Sequence, residues 1–330
     1  MIERWCDLNG PRMRICAKDE ALLAPLDVTW LRMATDATDR TDYTLTISRG
    51  EVLPAPDDAA LLFDGILPDN LPCVVTRVGS DEHYRVEDRI SLLLSKRAAR
   101  IVVAPGSENL VRRGLTTLAV GAALATGEQY LLHAAALALP GHDEAILIFG
   151  PSGHGKTTTS LSLLPAGFRL LTDDSSVIKR EAGRDQVWAL PRALKVHRKT
   201  AELLPWIRPE LTGTFDEEGE QGLAPAALAR LGSVAPPRPH PIRAIIVLGK
   251  RSSGDHEFRS LPKAEMLARV AGDNIGRNLR GVARDQNVRM GRIADLVSAN
   301  PTFELRAGSN LESLPAKVIA GMGSSNFPAV

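Results

Sequence analysis

Residues 43–48, Tyr-Thr-Leu-Thr-Ile-Ser, alternate apolar and polar with period two. That period sends every second side chain to one face and predicts a half-buried strand. Shorter apolar runs at 60–63, 73–76 and 100–103, punctuated by Pro and Asp, predict further strands. Residues 1–105 are therefore expected to form a small, mostly β N-terminal module. From 108 to 125 the period changes. Leu110, Val111, Leu115, Leu118 and Ala122 recur at helical spacing, with Ser107 placed to cap and Gly127 to stop.

Residues 130–139 and 145–149 are apolar on both faces and flank the turn Pro140-Gly-His-Asp143. They predict a β-hairpin at the centre of a covered sheet. A short helix is expected at 156–164, stopped by Pro165 and Gly167, then a strand at 168–172 ending on Asp173-Asp174. Strands at 176–179 and 186–190 follow. Residues 212–224, rich in acids and glycine, read as a mobile loop, and 232–241, rich in proline, as a connector. A strong strand at 242–250 precedes a helical stretch over 263–299 with breaks near Gly272 and Gly281. A last strand at 302–306 leads to a Gly/Ser-rich tail at 321–325. The fold class expected is α/β of the mixed α+β kind, with residues 106–330 as one domain.

Composition changes this picture little. The 330 residues are 44% hydrophobic and 24% charged, with net charge +1. No strong field draws the chain to nucleic acid or a membrane, and neither is expected as a partner. Cys6, Cys16 and Cys73 are scattered, which disfavours zinc and a disulfide framework and points to the cytoplasm. The first residues carry charges and lack the apolar region of a signal peptide, and no apolar run of about 20 residues occurs.

The candidate chemistry begins at Gly150-Pro-Ser-Gly-His-Gly-Lys-Thr157, which fits G-x4-G-K-[ST]. Gly150, Gly153 and Gly155 let the backbone curl so that successive N–H groups face phosphate oxygens. The helix that follows offers its positive end to the same anion. Lys156 is expected on the β- and γ-phosphates and the Thr157 hydroxyl on Mg²⁺. Pro151, Ser152, His154 and Thr158 complete the expected nucleotide-binding set, Ser152 and His154 as spacers. A strand before the loop and a helix after it supply the context that the motif requires.

Phosphoryl transfer needs further carboxylates to hold metal and accept a proton. Asp173 and Asp174 follow Lys156 by one helix and one strand, closer than in most P-loop proteins. They lie beside the phosphates if strand 168–172 packs next to strand 145–149. On extended chain, adjacent side chains point opposite ways, so one would face metal and the other the acceptor. The pair also reads as a simple turn. His133, in the preceding apolar strand, is either a core histidine or a contact to the γ-phosphate or the aspartates.

Leu132-His133 before the hairpin, the loop Gly150–Thr157, and Gly167-Phe-Arg-Leu-Leu-Thr-Asp-Asp174 together resemble the C-terminal catalytic domain of bacterial HPr kinase/phosphorylase, over about residues 130–178. The resemblance implies a P-loop within a phosphoenolpyruvate carboxykinase-like fold, and transfer of phosphate to a serine of a small carrier protein. It implies ATP and Mg²⁺, with His133 near the γ-phosphate. Asp174 would be the base or a metal contact, with Asp173 beside it. Gly276-Arg-Asn-Leu279 is similar to another family segment, so Arg277 would steady phosphate charge; alone it reads as a solvated helix residue.

The family's Glu-x-Arg-Gly-x-Gly signature is missing. Residues 189–197 read Ala-Leu-Pro-Arg-Ala-Leu-Lys-Val-His, without the expected metal-site glutamate, which bears on the reverse phosphorylase reaction. The overall layout is more similar to HPr kinase-related proteins of peptide-maturation clusters. Those include kinases of the C-terminal serine of lasso-peptide precursors. The resemblance thus implies a serine-containing peptide or small carrier protein as acceptor, and a homo-oligomer. A small-molecule kinase and a nucleotide-binding regulator without chemistry are the other readings. The N-terminal module and the segment 195–241 are candidates for acceptor recognition.

Overall fold

The computed structural model describes every residue except 31–32, 68–70, 113, 191–192, 231–233, 276–285 and 324–330. Met1–Tyr130 form one compact unit, and a second begins at Leu131.

The first unit comprises β1 (Ile2–Asp7), β2 (Arg12–Ala17), α1 (Glu20–Trp30), β3 (Tyr43–Arg49), β4 (Ala60–Leu67), β5 (Leu71–Val78), β6 (Asp81–Val86), β7 (Ile90–Leu94), β8 (Ala98–Val103) and α2 (Gly114–Ala125). Its strands form one sheet in the order β1-β2-β3-β8-β7-β6-β5-β4. The alternation in β3 holds, with Tyr43, Leu45 and Ile47 buried and the residues between them partly exposed. The expected helix 108–125 is instead a 3-10 turn, Glu108–Arg112, and then α2. Gly114 is a poor interior helix residue and sits at the second start. Leu115, Ala119 and Ala123 of α2 are buried, and α2 packs on β3, β7 and β8. The helix thus belongs with the N-terminal sheet, and the division falls after Tyr130 rather than at 105.

The second unit comprises β9 (Tyr130–His133, which starts at the division), β10 (Ala135–Ala138), β11 (Ala145–Phe149), α3 (Lys156–Leu163), β12 (Arg169–Thr172), β13 (Ser175–Glu181), β14 (Arg184–Ala189) and β15 (Leu194–His197). Then come α4 (Arg198–Leu203), β16 (Glu220–Leu223), α5 (Pro225–Arg230), β17 (His240–Leu248), β18 (Glu257–Ser260), α6 (Lys263–Ile275), α7 (Gln286–Ala299), β19 (Thr302–Arg306) and α8 (Leu314–Gly321). The main sheet runs β12-β10-β11-β17-β14-β13-β9, with β19 beside β17 and β18 beside β19. Every residue of β10 and β11 is buried, as their two-sided apolar pattern requires. With its two large sheets and its helices, the chain is a mixed α+β fold.

Several expectations change. The run 130–139 breaks at Ala134, where the chain leaves β13 for β11 and β12; the Ala134 N–H donates to Asp174 O at 3.0 Å. β12 lies beside β10, not β11, whose other neighbour is the parallel strand β17. Part of the expected mobile loop is β16, paired with β15 and closed by Asp216, which accepts from the Glu220 amide at 2.7 Å. α6 continues through Gly272. α8 follows β19 and buries Leu314 and Val318 in the core. Among the described residues no helix is long and apolar enough to cross a membrane.

Topology fixes one rim. β11, β17 and β19 are parallel, and β12 shares their direction because both β11 and β12 run antiparallel to β10. The C-terminal ends of these strands therefore lie together, where α/β sheets bind ligands. β10 starts at the same rim, with Ala135 opposite Ile148 and Ala136 opposite Thr172. Three separate points of the chain meet there: His133, Gly150 and Asp173.

Candidate functional site

The loop after β11 turns on two glycines, Gly153 at φ +81° and Gly155 at φ +90°. L side chains seldom adopt this region, so glycine is demanded by conformation rather than crowding; a Cβ at either would meet nothing within 4 Å. The His154 N–H donates to Pro151 O at 3.1 Å, and Thr159 N–H to Gly155 O at 2.8 Å, starting α3. Pro151, Ser152, Gly153 and His154 are exposed, whereas Lys156 is buried.

Lys156 lies across its own loop. Its Nζ donates to Gly150 O at 2.6 Å and is 3.1 Å from His133 Nε2. Beside an ammonium, which only donates, Nε2 is the acceptor, and a neutral imidazole in that role carries its proton on Nδ1. Nδ1 is 2.8 Å from Asp174 Oδ1. Lys156, His133 and Asp174 thus form one polar chain, and His133 is not a core histidine.

The two aspartates differ. Asp173 is only 5% exposed and lies with Oδ2 3.5 Å from Thr157 Oγ1. The Asp174 side chain is 36% exposed, and Ser175 Oγ reaches its Oδ2 at 3.4 Å. The turn is held by Thr172 Oγ1, which accepts from the amides of Asp174 and Ser175 at 3.3 and 3.2 Å. The chain therefore bends at the pair, and this bend, not strand alternation, sends the two carboxylates to different neighbours.

Thr157 and Asp173 offer a hydroxyl and a carboxylate, the hard oxygen donors that Mg²⁺ prefers. Among the described residues no group of three or more His, Cys, Asp or Glu side chains could hold a metal. The pair fits an ion that takes its remaining ligands from water and phosphate, which is usual for Mg²⁺ in phosphoryl transfer.

Arg277 lies outside the described residues. Three residues not foreseen adjoin the site. Thr200 of α4 shares a 2.8 Å hydroxyl contact with Thr158. Ser175 touches Asp174. Asn274 of α6 accepts the His133 N–H at 2.7 Å. Only Asn274 left a signal in the sequence: it continues the buried stripe Met266, Val270 at four-residue spacing, as a polar residue on an apolar face.

No family model and no curated protein matches the chain. Among solved structures, the chain is similar to "Structure of the Hpr(Ser) kinase/phosphatase from Coxiella burnetii", at 15% identity and a TM-score of 0.32, over 59% of this chain and 94% of that one. At that level of similarity nothing about the chemistry of this chain follows.

Proposed function

We propose that the chain is an ATP- and Mg²⁺-dependent kinase that transfers the γ-phosphoryl group to a serine of a peptide or small carrier protein. On this reading its second unit is a P-loop domain of the phosphoenolpyruvate carboxykinase-like kind. The observation that carries the reading is the meeting of two contacts at one rim, Thr157 with Asp173 and Lys156 with His133 and Asp174.

Each residue then has work that its surroundings suit. The loop amides and Lys156 hold the β- and γ-phosphates and stabilise charge on the moving phosphoryl group. Thr157 and buried Asp173 would hold Mg²⁺, which supplies charge neutralisation on the phosphate oxygens when bound. Asp174 is the more exposed carboxylate. With His133 Nδ1 at its Oδ1 and the Ser175 hydroxyl at its Oδ2, this carboxylate would accept the proton of an acceptor serine. His133 also links Lys156 to Asp174, so the phosphate-binding and proton-accepting groups keep a fixed relation.

The acceptor to try first is the C-terminal serine of a lasso-peptide precursor, with Met1–Tyr130 as its recognition unit. Incubation with ATP, Mg²⁺ and the peptides encoded beside the gene, followed by intact-mass spectrometry, tests the reading. A gain of about 80 Da on a serine is expected. Lys156→Ala and Asp174→Asn should each lose most turnover, and His133→Ala less. Transfer at the wild-type rate by either of the first two variants would refute the assignment.

A further inference from the structure

Among the described residues, β9 is the last strand of its sheet and lies beside β13. The N–H of His133 and the C=O of Leu131 are two residues apart and face the same edge, the one away from β13. Such groups need partners when buried. Two helices supply them with side chains. Asn274 Oδ1 of α6 accepts the His133 N–H at 2.7 Å, and Arg289 of α7 donates to Leu131 O at 2.6 Å. Asn274 is fully buried, and its Nδ2 donates to Val270 O at 3.1 Å. Both partners are backbone groups of opposite kind, so the orientation of the amide is fixed: oxygen to the N–H, nitrogen to the carbonyl.

We propose that Asn274 is a positioning residue for His133, setting the backbone of β9 so that the imidazole spans Lys156 Nζ and Asp174 Oδ1. The geometry leaves little slack. The imidazole must keep 3.1 Å to one partner and 2.8 Å to the other, and the next residue, Ala134, is tied to Asp174 O at 3.0 Å. Loss of the Asn274 acceptor removes the hydrogen bond on the side of His133 that faces away from β13. The buried N–H would then seek another acceptor and carry the ring with it. Asn274 touches no reacting atom; it acts through His133.

The activity part of this inference rests on the kinase reading, but its first test does not. Long-range ¹H–¹⁵N spectra of the imidazole nitrogens report the His133 tautomer without substrate, its signals identified by their loss in His133→Gln. Wild type is expected to show the imidazole proton on Nδ1, with Nε2 carrying the Lys156 contact. Asn274→Ala should displace this signature, with kcat down about tenfold and the KM for MgATP nearly unchanged, as expected of misplacement rather than lost binding. Asn274→Asp keeps the acceptor for the amide but loses the donor to Val270 O, and should recover the signature at a cost in thermal stability. Arg289→Ala, which frees Leu131 O on the same edge, should lower thermal stability and leave the His133 tautomer alone. If the alanine variant does not fold, Asn274→Leu, similar in volume but without an acceptor, replaces it with the same expected displacement. A wild-type His133 signature in whichever of the two folds would overturn the proposal, whatever the activity. No transfer by any form, with the signature displaced as stated, would instead count against the kinase reading alone.

Discussion

Asp173 and Asp174 are chemically identical neighbours with different surroundings: one buried against Thr157, the other more exposed and held by His133. The kinase reading therefore predicts different failures. Asp173→Asn should raise the Mg²⁺ concentration for half-maximal rate by about tenfold or more. Asp174→Asn should lower kcat by about 100-fold or more and leave the Mg²⁺ dependence unchanged. Magnesium titrations of steady-state rates check both, and equal behaviour of the two variants would contradict the division. Gly155 makes a second residue-scale case. At φ +90° in open space, Gly155→Ala should cost about 1–2 kcal/mol from backbone conformation alone, measurable by urea unfolding. The turn at Gly153 and Gly155 was legible in the sequence because the positive φ it needs favours glycine. The division between the aspartates was not, because it follows from a bend pinned by Thr172.

Among the elements, the hairpin of β10 and β11 was readable because burial on both faces leaves apolar runs, but the break at Ala134 that separates β9 from β10 was not. Neither was β6, Asp81–Val86. Its Glu82, His83 and Tyr84 look exposed in sequence but are buried, with Glu82 accepting from Arg77 and from the Tyr84 hydroxyl at 2.7 Å each. β19 hides a similar case. Glu304 is buried among Arg259, Arg269 and Arg306. Burial alone would push its carboxyl up, but hydrogen bonds from Arg269 and Arg259 outweigh this and hold it below the usual carboxylate range. A depressed folded-state pKa gives stability that is present above the ordinary value. It is lost as pH falls through the folded value. Glu304→Gln should thus be less stable by about 1–3 kcal/mol at neutral pH, given arginines that are partly solvated. The difference should shrink below about pH 4. Melts across pH check this, and a difference that stays constant under acid would contradict it.

At the scale of the molecule, two units were expected, but the cut was not at 105. The helical period of α2 shows that it has an apolar stripe, not which sheet that stripe covers. Its packing on β3, β7 and β8 assigns it to the first unit. A chain beginning at residue 106 would keep this stripe without its sheet and should aggregate. One beginning at residue 129 should stay monodisperse and keep MgATP binding but lose the acceptor. Size-exclusion chromatography and binding titrations separate these outcomes. Acceptor binding by the shorter chain would remove the first unit from recognition.

On the kinase reading, Gly150–Thr157 holds a nucleoside triphosphate with magnesium. Calorimetric titration of MgATP and of AMP into the wild-type and Lys156→Ala proteins tests it most directly. MgATP should bind the wild type, AMP should bind far more weakly, and Lys156→Ala should lose at least about tenfold in affinity for MgATP, some 1.4 kcal/mol. Equal affinity of both proteins for MgATP, or no binding by the wild type, would contradict the account.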